Sequence, residues 1–297
     1  MMIKPHFKYP VLILNWLYDL LSNFRLHVMV LIALAMLAMQ YFAYTGFVYL
    51  VGIAIFLALL FPLSSWREHK FQVPLELITT LKITSFNIQW NIETHDQSLR
   101  YIKDDDADIV VLQEVTTETR DVIKKFNHEY PYQYGEGHSH VMVLSRHKIK
   151  FIEYLNWPGK FSERALHLVC EIHEQTIHII AIHMQVTRTW RQIELRDSQI
   201  NCLLETLNGI AAPVVVVGDF NAGVGSRALV KIQKHSELKG KGSLVNYRSS
   251  WPSKCKMLGV QLDHVMVTGE LIVTDSKLGP ALESDHRPIS VTIGLTR

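Results

Sequence analysis

The sequence has few cysteines and no basic excess over most of its length. Cys170, Cys202 and Cys255 are widely spaced, so they offer neither a disulfide framework nor a zinc-binding pattern. Residues 1–75 carry five basic and two acidic side chains, which leaves 25 basic and 26 acidic residues for the rest of the chain. A duplex-binding domain usually has a basic patch, and this balance does not predict one. The chain has no internal repeat and no low-complexity tract.

Long apolar runs are concentrated at the amino terminus. No charged residue occurs in 28–44 or in 47–63, and Thr45-Gly46 separates the two runs. Each run is near the lower length limit for a membrane-spanning helix, so together they predict a transmembrane helical hairpin. Residues 11–24 are too short to span and predict an interfacial helix, with Trp16 and Tyr18 at the headgroup level. The alternative is a buried helix pair in a soluble core, although such helices rarely lack a polar face over this length.

The charges that flank these runs predict the orientation of the chain in a bilayer. Lys4, Lys8 and Arg25 precede the hairpin, Arg67 and Lys70 follow it, and the turn carries no basic residue. The positive-inside rule therefore places both ends in the cytoplasm. If 11–24 also crossed the membrane, the larger part of the chain would face outward instead. Residues 1–66 are thus predicted to form a membrane anchor in contact with the lipid bilayer.

The remainder of the chain is predicted to be a polar linker, 67–81, followed by one domain, 82–297. Short apolar runs alternate there with polar, helix-like segments, which indicates sheets covered by helices in an α/β (α+β) fold. The predicted strands lie near 83–88, 109–113, 141–144, 165–171, 176–184, 214–218, 262–267 and 288–293. The predicted helices lie near 96–104, 117–128, 191–208 and 227–234.

Polar residues follow several of the predicted strands. In Val214–Asn221, four consecutive valines predict a strand buried on both faces, and Gly218 interrupts it just before Asp219. Residues two apart on an extended backbone point the same way, so Asp219 and Asn221 are expected side by side. A carboxylate in this position is suited to holding a metal ion or activating a water molecule.

The same pattern recurs at other strand ends. The residues concerned are Asn87, Gln113-Glu114, His183, Asp263-His264 and Asp285-His286. Each has an ordinary structural alternative, such as a turn, a solvated strand end or a histidine bonded to a backbone carbonyl. Their combined order and placement are much harder to explain in that way.

These motifs resemble the endonuclease/exonuclease/phosphatase superfamily. The matching elements, in the family's order over about residues 82–295, are Ser85-Phe86-Asn87, Gln113-Glu114, Leu144-Ser145-Arg146, His183, Gly218-Asp219-Phe220-Asn221, Leu262-Asp263-His264 and Ser284-Asp285-His286-Arg287-Pro288. The sequence is most similar to bacterial, membrane-anchored members, which carry an element like Trp251-Pro252. The resemblance implies a four-layer α/β/β/α sandwich of two mixed sheets with helices outside.

The resemblance also implies a metal site and a set of catalytic roles. Mg²⁺, or Mn²⁺ in its place, would be bound by Glu114 with help from Asn87 and Asp285. The other roles implied are activation of the attacking water by Asp219, a hold on water or phosphate by Asn221, proton transfer by His286 oriented by Asp263, and donation to phosphate by His183. Arg164 is a weaker candidate for phosphate binding, and a surface ion pair explains it equally well.

The implied reaction is in-line hydrolysis of a phosphodiester or phosphomonoester. The substrate class stays open between a lipid and a nucleic acid, and a tethered nuclease is the main alternative to a lipid phosphoesterase. A non-catalytic membrane scaffold is a further alternative, against which the full carboxylate set argues. No acidic residue follows Asn87 where some nucleases have a second metal carboxylate, which argues against two-metal chemistry. No obligate protein partner is predicted.

Overall fold

The computed structural model describes residues 5–41, 46, 50–56, 77–91, 94–135, 140–158, 164–172, 174–211, 213–236, 239–240, 249–255, 259–268 and 271–295. The helices are α1 (Pro5–Asn23), α2 (Arg25–Tyr41), α3 (Asp96–Asp104), α4 (Thr117–Ile123), α5 (Trp190–Asn208) and α6 (Arg227–Ser236), with a 3₁₀ turn at Lys124–Phe126 and helical residues at 50–56. The strands are β1 (Thr79–Asn87), β2 (Ile109–Gln113), β3 (Tyr132–Tyr134), β4 (Val141–Ser145), β5 (Ile149–Tyr154), β6 (Ala165–Ile172), β7 (Gln175–His183), β8 (Val214–Asp219), β9 (Lys239–Gly240), β10 (Asp263–Val267), β11 (Leu271–Leu278) and β12 (Ile289–Leu295).

The strands form two six-stranded mixed sheets. The strand order is β11-β12-β1-β2-β4-β3 in the first sheet and β5-β6-β7-β8-β10-β9 in the second. Each sheet contains one parallel pair, β1 with β2 and β7 with β8, and the other pairings are antiparallel. The predicted class of two mixed sheets with helices is therefore confirmed.

Three apolar clusters show that the layers run helix, sheet, sheet, helix. The largest cluster lies between the sheets and includes Ile83 and Val111 of the first sheet and Ile179 and Val217 of the second. A second cluster joins the first sheet to α3 and α4, and a third joins the second sheet to α5 and α6. Because both faces of the central strands are covered, β2 and β8 are buried throughout.

The topology brings polar strand ends from both sheets to one edge of the sandwich. The parallel pairs β1–β2 and β7–β8 end at this edge. The strands β10 and β12 run antiparallel to β8 and β1, so they begin at the same edge. Residues near the carboxyl ends of four strands and the amino ends of two are thereby brought together.

The amino-terminal helix α1 packs against α5 of the domain. Asp19, which is buried, forms an ion pair with the buried Arg196 and accepts a hydrogen bond from the backbone N–H of Arg227 at 3.1 Å. Asn23 Oδ1 accepts from the backbone N–H of Gly223 at 2.8 Å. The indole of Trp16 faces the domain, since its N–H donates to the Thr187 carbonyl at 3.2 Å. The indole N–H of Trp16 is thus occupied by a protein contact, and its position at a headgroup level stays a prediction.

No single helix in the described part of the chain is both long and apolar enough to cross a membrane. One bent pair, Tyr9–Asn23 with His27–Ala38, meets the length and composition requirement, and its two helices meet at 81°. The first predicted span, 28–44, corresponds largely to α2. Most of the second, 47–63, lies outside the described residues apart from 50–56. The transmembrane hairpin stays a prediction.

All the predicted strands and helices of the domain are present, with ends that differ by a few residues. The predicted helix 117–128 divides into α4 and the 3₁₀ turn, and the hairpin predicted at 165–184 forms from β6 and β7. Four strands were not predicted, namely β3, β5, β9 and β11.

Candidate active site

Asp219 lies at the end of β8, where the backbone changes direction. Gly218 has φ +145°, and a Cβ built on it would lie 1.9 Å from the Ile182 carbonyl oxygen of the adjacent strand. Only glycine fits there, because a side chain would collide with backbone and would be strained at that φ. The close approach of β7 and β8 brings Asp219, 1% exposed, into the interior of the sandwich edge.

Strand register places two further predicted residues beside Asp219. His183 of β7 pairs with it in the parallel ladder, and Asp263 of β10 pairs with it in the antiparallel ladder. His183 Nε2 lies 3.8 Å from Asp219 Oδ2 and 3.7 Å from Glu114 Oε1. Burial and the nearby Arg164 hold the pKa of His183 well below its usual value, so this imidazole is neutral.

Asn221 approaches Asp219 through a turn and not through an extended strand. Its φ is +48°, its backbone N–H donates to Asp219 Oδ1 at 2.8 Å, and its side-chain amide donates to Asp219 Oδ2 at 3.3 Å. The same amide nitrogen donates to the Met184 carbonyl at 3.0 Å. The two side chains are adjacent as predicted, but an Asx-type turn brings them together.

Asn87 and Glu114 reach this centre from the other sheet. The amide nitrogen of Asn87 donates to Glu114 Oε1 and to Asp219 Oδ2, both at 3.1 Å. Glu114 directly follows β2 at φ +60°, and its second oxygen accepts from the backbone N–H of Trp90 at 3.2 Å. One amide therefore connects a carboxylate of the first sheet with one of the second.

Asp263 and His286 form a buried dyad. Asp263 Oδ2 lies 2.8 Å from His286 Nδ1, and His286 Nε2 lies 3.8 Å from Asp219 Oδ2. Burial alone would lower the pKa of His286, but the carboxylates of Asp263 and Asp219 raise it to about 10. Burial raises the pKa of Asp219, opposed by the charge of His286. His286 is thus a cation held between two carboxylates.

Asp285 lies at the mouth of the site. Trp251 Nε1 donates to Asp285 Oδ2 at 2.9 Å. The backbone N–H of Asp285 donates to Gln89 Oε1 at 2.8 Å. The neighbouring Ser284 donates to the Asn87 carbonyl at 2.6 Å and accepts from the His286 N–H at 3.0 Å. These bonds fix the segment before β12 against the end of β1.

The side chains border a cavity of about 650 Å³. Six predicted residues line it directly, namely Glu114, His183, Asp219, Asn221, Asp285 and His286. Arg164 also lines it, donates to the His183 carbonyl at 3.3 Å and has a pKa lowered by burial, which Glu114 and Asp219 oppose. Asn87 and Asp263 lie behind this wall and hold its members, so the nine predicted residues occupy one region.

The residues expected to bind a metal ion have a suitable donor set. Glu114 and Asp285 offer carboxylate oxygens on the cavity wall, and Asn87 offers an amide, which are the hard ligands that Mg²⁺ and Mn²⁺ accept. The carboxylates of Glu114 and Asp219 both accept from the Asn87 amide nitrogen. Their closeness concentrates negative charge that a divalent cation would neutralise. This set fits the ion.

A second cluster of potential ligands is better explained as the dyad of Asp263 and His286 with Asp219 beside it. Atoms of Asp219, Asp263 and His286 lie within 4.8 Å of one another. All three residues are buried, and Nδ1 of His286 is already bonded to Oδ2 of Asp263. Mg²⁺ keeps several water ligands, so the partly exposed Glu114 side chain suits it better than this buried cluster.

Sequence reasoning missed several residues that shape the site. Gln89, Ser284 and Trp251 support Asp285 and Asn87. Ser284 and Trp251 stand in the matching elements but received no role there, and Gln89 follows the element that ends at Asn87. Leu20 and Asn23 of α1, and Phe24 directly after it, line the cavity. No sequence signal indicated this, because contacts that join the helix to the domain link residues 171 and 200 positions apart.

Comparison with known proteins agrees with this geometry. The profile of the Endonuclease/Exonuclease/phosphatase family matches residues 84–286. The chain belongs to this family, and its fold and site define a metal-dependent hydrolase of phosphoester bonds. No curated protein matches the sequence significantly.

Solved structures share the fold at low sequence identity. Humanized TDP2 from D. rerio is 19% identical with a TM-score of 0.62, over 72% of this chain and 98% of that one. An endonuclease/exonuclease/phosphatase from Bacteroides vulgatus is 18% identical with a TM-score of 0.61, over 73% of this chain and 100% of that one. The corresponding protein from Beutenbergia cavernae is 15% identical with a TM-score of 0.57, over 73% and 72%.

Proposed function

We propose that the protein is a membrane-anchored, Mg²⁺-dependent phosphoesterase that cleaves a phosphodiester or phosphomonoester by in-line attack of water. The observation that carries this proposal is the position of Asp219. It is joined through Asn87 to Glu114 and lies beside the charged His286. A water-activating carboxylate, a metal-binding carboxylate and a proton donor therefore border one cavity.

Asp219 is the group that orients and deprotonates the attacking water. Burial raises its pKa, and a raised pKa makes a carboxylate a stronger proton acceptor near neutral pH. Asn221 fixes the carboxylate through two hydrogen bonds. These bonds keep the Asp219 carboxylate directed at the cavity, where the water attacks the phosphate.

His286 and His183 act on the phosphate oxygens. His286 carries a proton on Nε2 near Asp219, and Asp263 holds its ring and supports its charge. It is suited to protonate the leaving oxygen. The neutral His183 and the Arg164 guanidinium on the cavity wall are suited to donate to non-bridging oxygens as charge develops.

Glu114, Asp285 and Asn87 are the residues that would hold Mg²⁺, with Mn²⁺ as the substitute. When bound, the ion supplies Lewis-acid neutralisation of charge on the phosphate and the leaving oxygen. The protein's own contribution there is to keep Glu114 in place, through the Asn87 amide and the Trp90 N–H.

Anchoring to a bilayer is supported by the uncharged amino-terminal runs and by the apolar helices α1 and α2. Basic residues on both sides of the runs favour a cytoplasmic catalytic domain. An outward-facing domain is the alternative if α1 also crosses.

A tethered nuclease is the second candidate function. Trp90 borders the cavity and is 65% exposed, and an exposed aromatic ring of this kind provides a surface on which a base can stack. A structurally similar D. rerio TDP2 is described in complex with a single strand DNA product.

The test uses the full-length protein in detergent with Mg²⁺ or EDTA. Bis-p-nitrophenyl phosphate, single-stranded DNA and phospholipid vesicles serve as parallel substrates. We expect Mg²⁺-dependent hydrolysis that falls by roughly 10³-fold in Asp219→Asn. Asp275→Asn, a change at an exposed aspartate of β11, is the matched control. A wild type inactive on all three substrates would favour the non-catalytic scaffold.

A further inference from the structure

α1 has its polar and apolar faces reversed relative to a helix on a water-exposed surface. Its one acidic residue, Asp19, is 1% exposed and faces the domain. The outer face carries the exposed apolar side chains Val11, Ile13, Leu14, Leu17, Tyr18 and Leu21. A helix in contact with water directs its apolar stripe inward, so this outer face suits an apolar environment such as the acyl boundary of a bilayer.

Basic side chains lie next to this apolar face. Tyr18 of α1 shares a cavity of about 520 Å³ with Arg227, Lys231 and Lys234 of α6. Arg227 is engaged by Asp197 at 3.4 Å, whereas the exposed Lys231 contacts the neutral Asn201 at 2.6 Å. Lysines beside an apolar helix face complement anionic headgroups above acyl chains.

The end of α1 and the residue that follows it contribute apolar side chains to the catalytic cavity. Leu20 and Phe24 line it together with Val186, Val260 and Leu262. The carboxylates and histidines of the site line it as well, with other polar residues such as Asn23, Thr187 and Arg188. The cavity therefore offers apolar side chains as well as groups suited to bind a phosphate, a combination that matches an amphiphilic phosphoester.

The position of α1 is fixed relative to the catalytic residues. Arg196 bonds Asp19 through one guanidinium nitrogen and donates to the Asn221 carbonyl at 3.3 Å through the other. Both Asp19 and Arg196 are buried. A surface bound by α1 is thus held at a set distance from the catalytic turn.

We propose that α1 and the lysines of α6 seat the catalytic cleft on an anionic phospholipid bilayer, and that a phospholipid of that bilayer is the substrate. This inference rests on the proposed phosphoesterase activity. In the reaction, a water oxygen bonds to phosphorus, the bond from phosphorus to one ester oxygen breaks, and that oxygen receives a proton. Leu20 and Phe24 contact the apolar part of the lipid next to its phosphate.

The first experiment measures where α1 lies. The full-length protein, with its three cysteines replaced, is labelled with a nitroxide at Leu14→Cys or at the control Phe151→Cys and reconstituted into phosphatidylcholine vesicles with phosphatidylglycerol. We expect the label at 14 to be relaxed by oxygen, and the label at 151 by an aqueous nickel complex. A label at 14 that is open to nickel, or immobilised by a second copy or another segment of the chain, would overturn the proposal.

The second experiment compares hydrolysis of vesicle lipid with that of bis-p-nitrophenyl phosphate. The double variant Leu20→Ser/Phe24→Ser is expected to lower the ratio of lipid to soluble rate by roughly tenfold. Lys231→Glu/Lys234→Glu is expected to lower the rate on anionic vesicles by about tenfold or more, with little change on neutral ones. Phe151→Ser and Lys148→Glu, at exposed positions away from α1 and α6, are the matched controls.

The outcomes separate this inference from the proposed function. Hydrolysis of the soluble diester without hydrolysis of vesicle lipid would overturn the inference and retain the phosphoesterase. Cleavage of single-stranded DNA in preference to lipid would likewise overturn it in favour of the nuclease. Loss of activity on every substrate would overturn both. An unchanged ratio of lipid to soluble rate in Leu20→Ser/Phe24→Ser would also contradict the inference.

Discussion

His286 depends on Asp263 for its charge. The two are 2.8 Å apart and buried, and the carboxylate keeps the imidazole protonated against the effect of burial. In the proposed mechanism Asp263 is therefore a positioning residue, and His286 is the group that would touch the reacting atoms.

Replacing Asp263 with Asn is expected to reduce kcat by roughly 10²- to 10⁴-fold. Because His286 acts in its protonated form, activity is lost as pH rises through its pKa. That pKa falls when the carboxylate is removed, so the alkaline limb of the pH profile should move to lower pH. The measurement is kcat against pH on the soluble diester. A variant with reduced kcat and an unmoved alkaline limb would indicate a purely structural role.

His264, next to Asp263, is expected to make folding stability sensitive to acid. It is buried, its Nε2 bonds the Ala222 carbonyl at 2.9 Å, and burial lowers its pKa to about 4 from 6.5. Between these values the unfolded chain binds a proton that the folded chain does not. Stability therefore falls as pH decreases through this window, by an amount on the order of 3 kcal/mol.

The comparison that isolates this effect is denaturant unfolding of the wild type and His264→Gln at pH 7 and at pH 4.5. The variant should lose less stability between the two pH values, whatever its stability at pH 7. An equal loss in both proteins would assign the acid sensitivity to other groups.

At the scale of residues, the sequence predicted the chemistry of the site better than its geometry. Strand ends identified Asn87, Glu114, His183 and Asp219, because parallel neighbours end at one edge of a sheet. The left-handed backbone of Asn221 and the support from Ser284 depend on contacts between distant segments. No local propensity encodes such contacts.

Sequence pattern predicted the central strands and missed the outer ones. The four strands that were not predicted, β3, β5, β9 and β11, are the four edges of the two sheets. Edge strands are short or carry charged side chains that limit pairing with other molecules, as Lys150 and Glu153 do in β5. Their mixed pattern therefore resembles that of a loop, whereas the valines of β8 do not.

Gly218 is the element-scale feature on which the active site depends. Gly218→Ala should abolish activity and lower the Tm, because the new Cβ would meet the Ile182 carbonyl oxygen at 1.9 Å and displace Asp219. Gly209→Ala is the matched control, since that glycine has φ −83° and a Cβ there would lie 3.5 Å from its nearest neighbour. Tm from thermal unfolding and kcat are measured for both variants. An active Gly218→Ala enzyme would show that β7 and β8 separate readily.

At the scale of the whole molecule, the predicted orientation is testable through the native cysteines. Cys255 is exposed, Cys170 is buried and Cys202 is half-buried. If the domain is cytoplasmic, a membrane-impermeant maleimide should label Cys255 only after cells are opened, and Cys255→Ser should remove most of the label. Labelling of intact cells would place the domain outside and α1 across the bilayer.

The amino-terminal segment shows where composition ceases to predict structure. Its apolar runs are evident in the sequence, and they led to the expectation of an anchor separate from the catalytic domain. α1 packs against the domain through contacts such as the ion pair of Asp19 with Arg196, two residues that are 177 positions apart. A single aspartate in an apolar helix gives no indication of its partner.

The hydrogen bonds from Asn87 to Glu114 and Asp219 join the two sheets at the active site. Neither sheet alone holds a complete set of catalytic groups, since Glu114 belongs to one and Asp219 and Asp263 to the other. Hydrolytic activity therefore requires that the two halves of the domain, one per sheet, pack together. A refolding chain gains that activity only after both sheets have formed and come into contact. A relative shift of the sheets by one residue along a strand, about 3.3 Å, would disconnect the halves while leaving each ladder of hydrogen bonds intact.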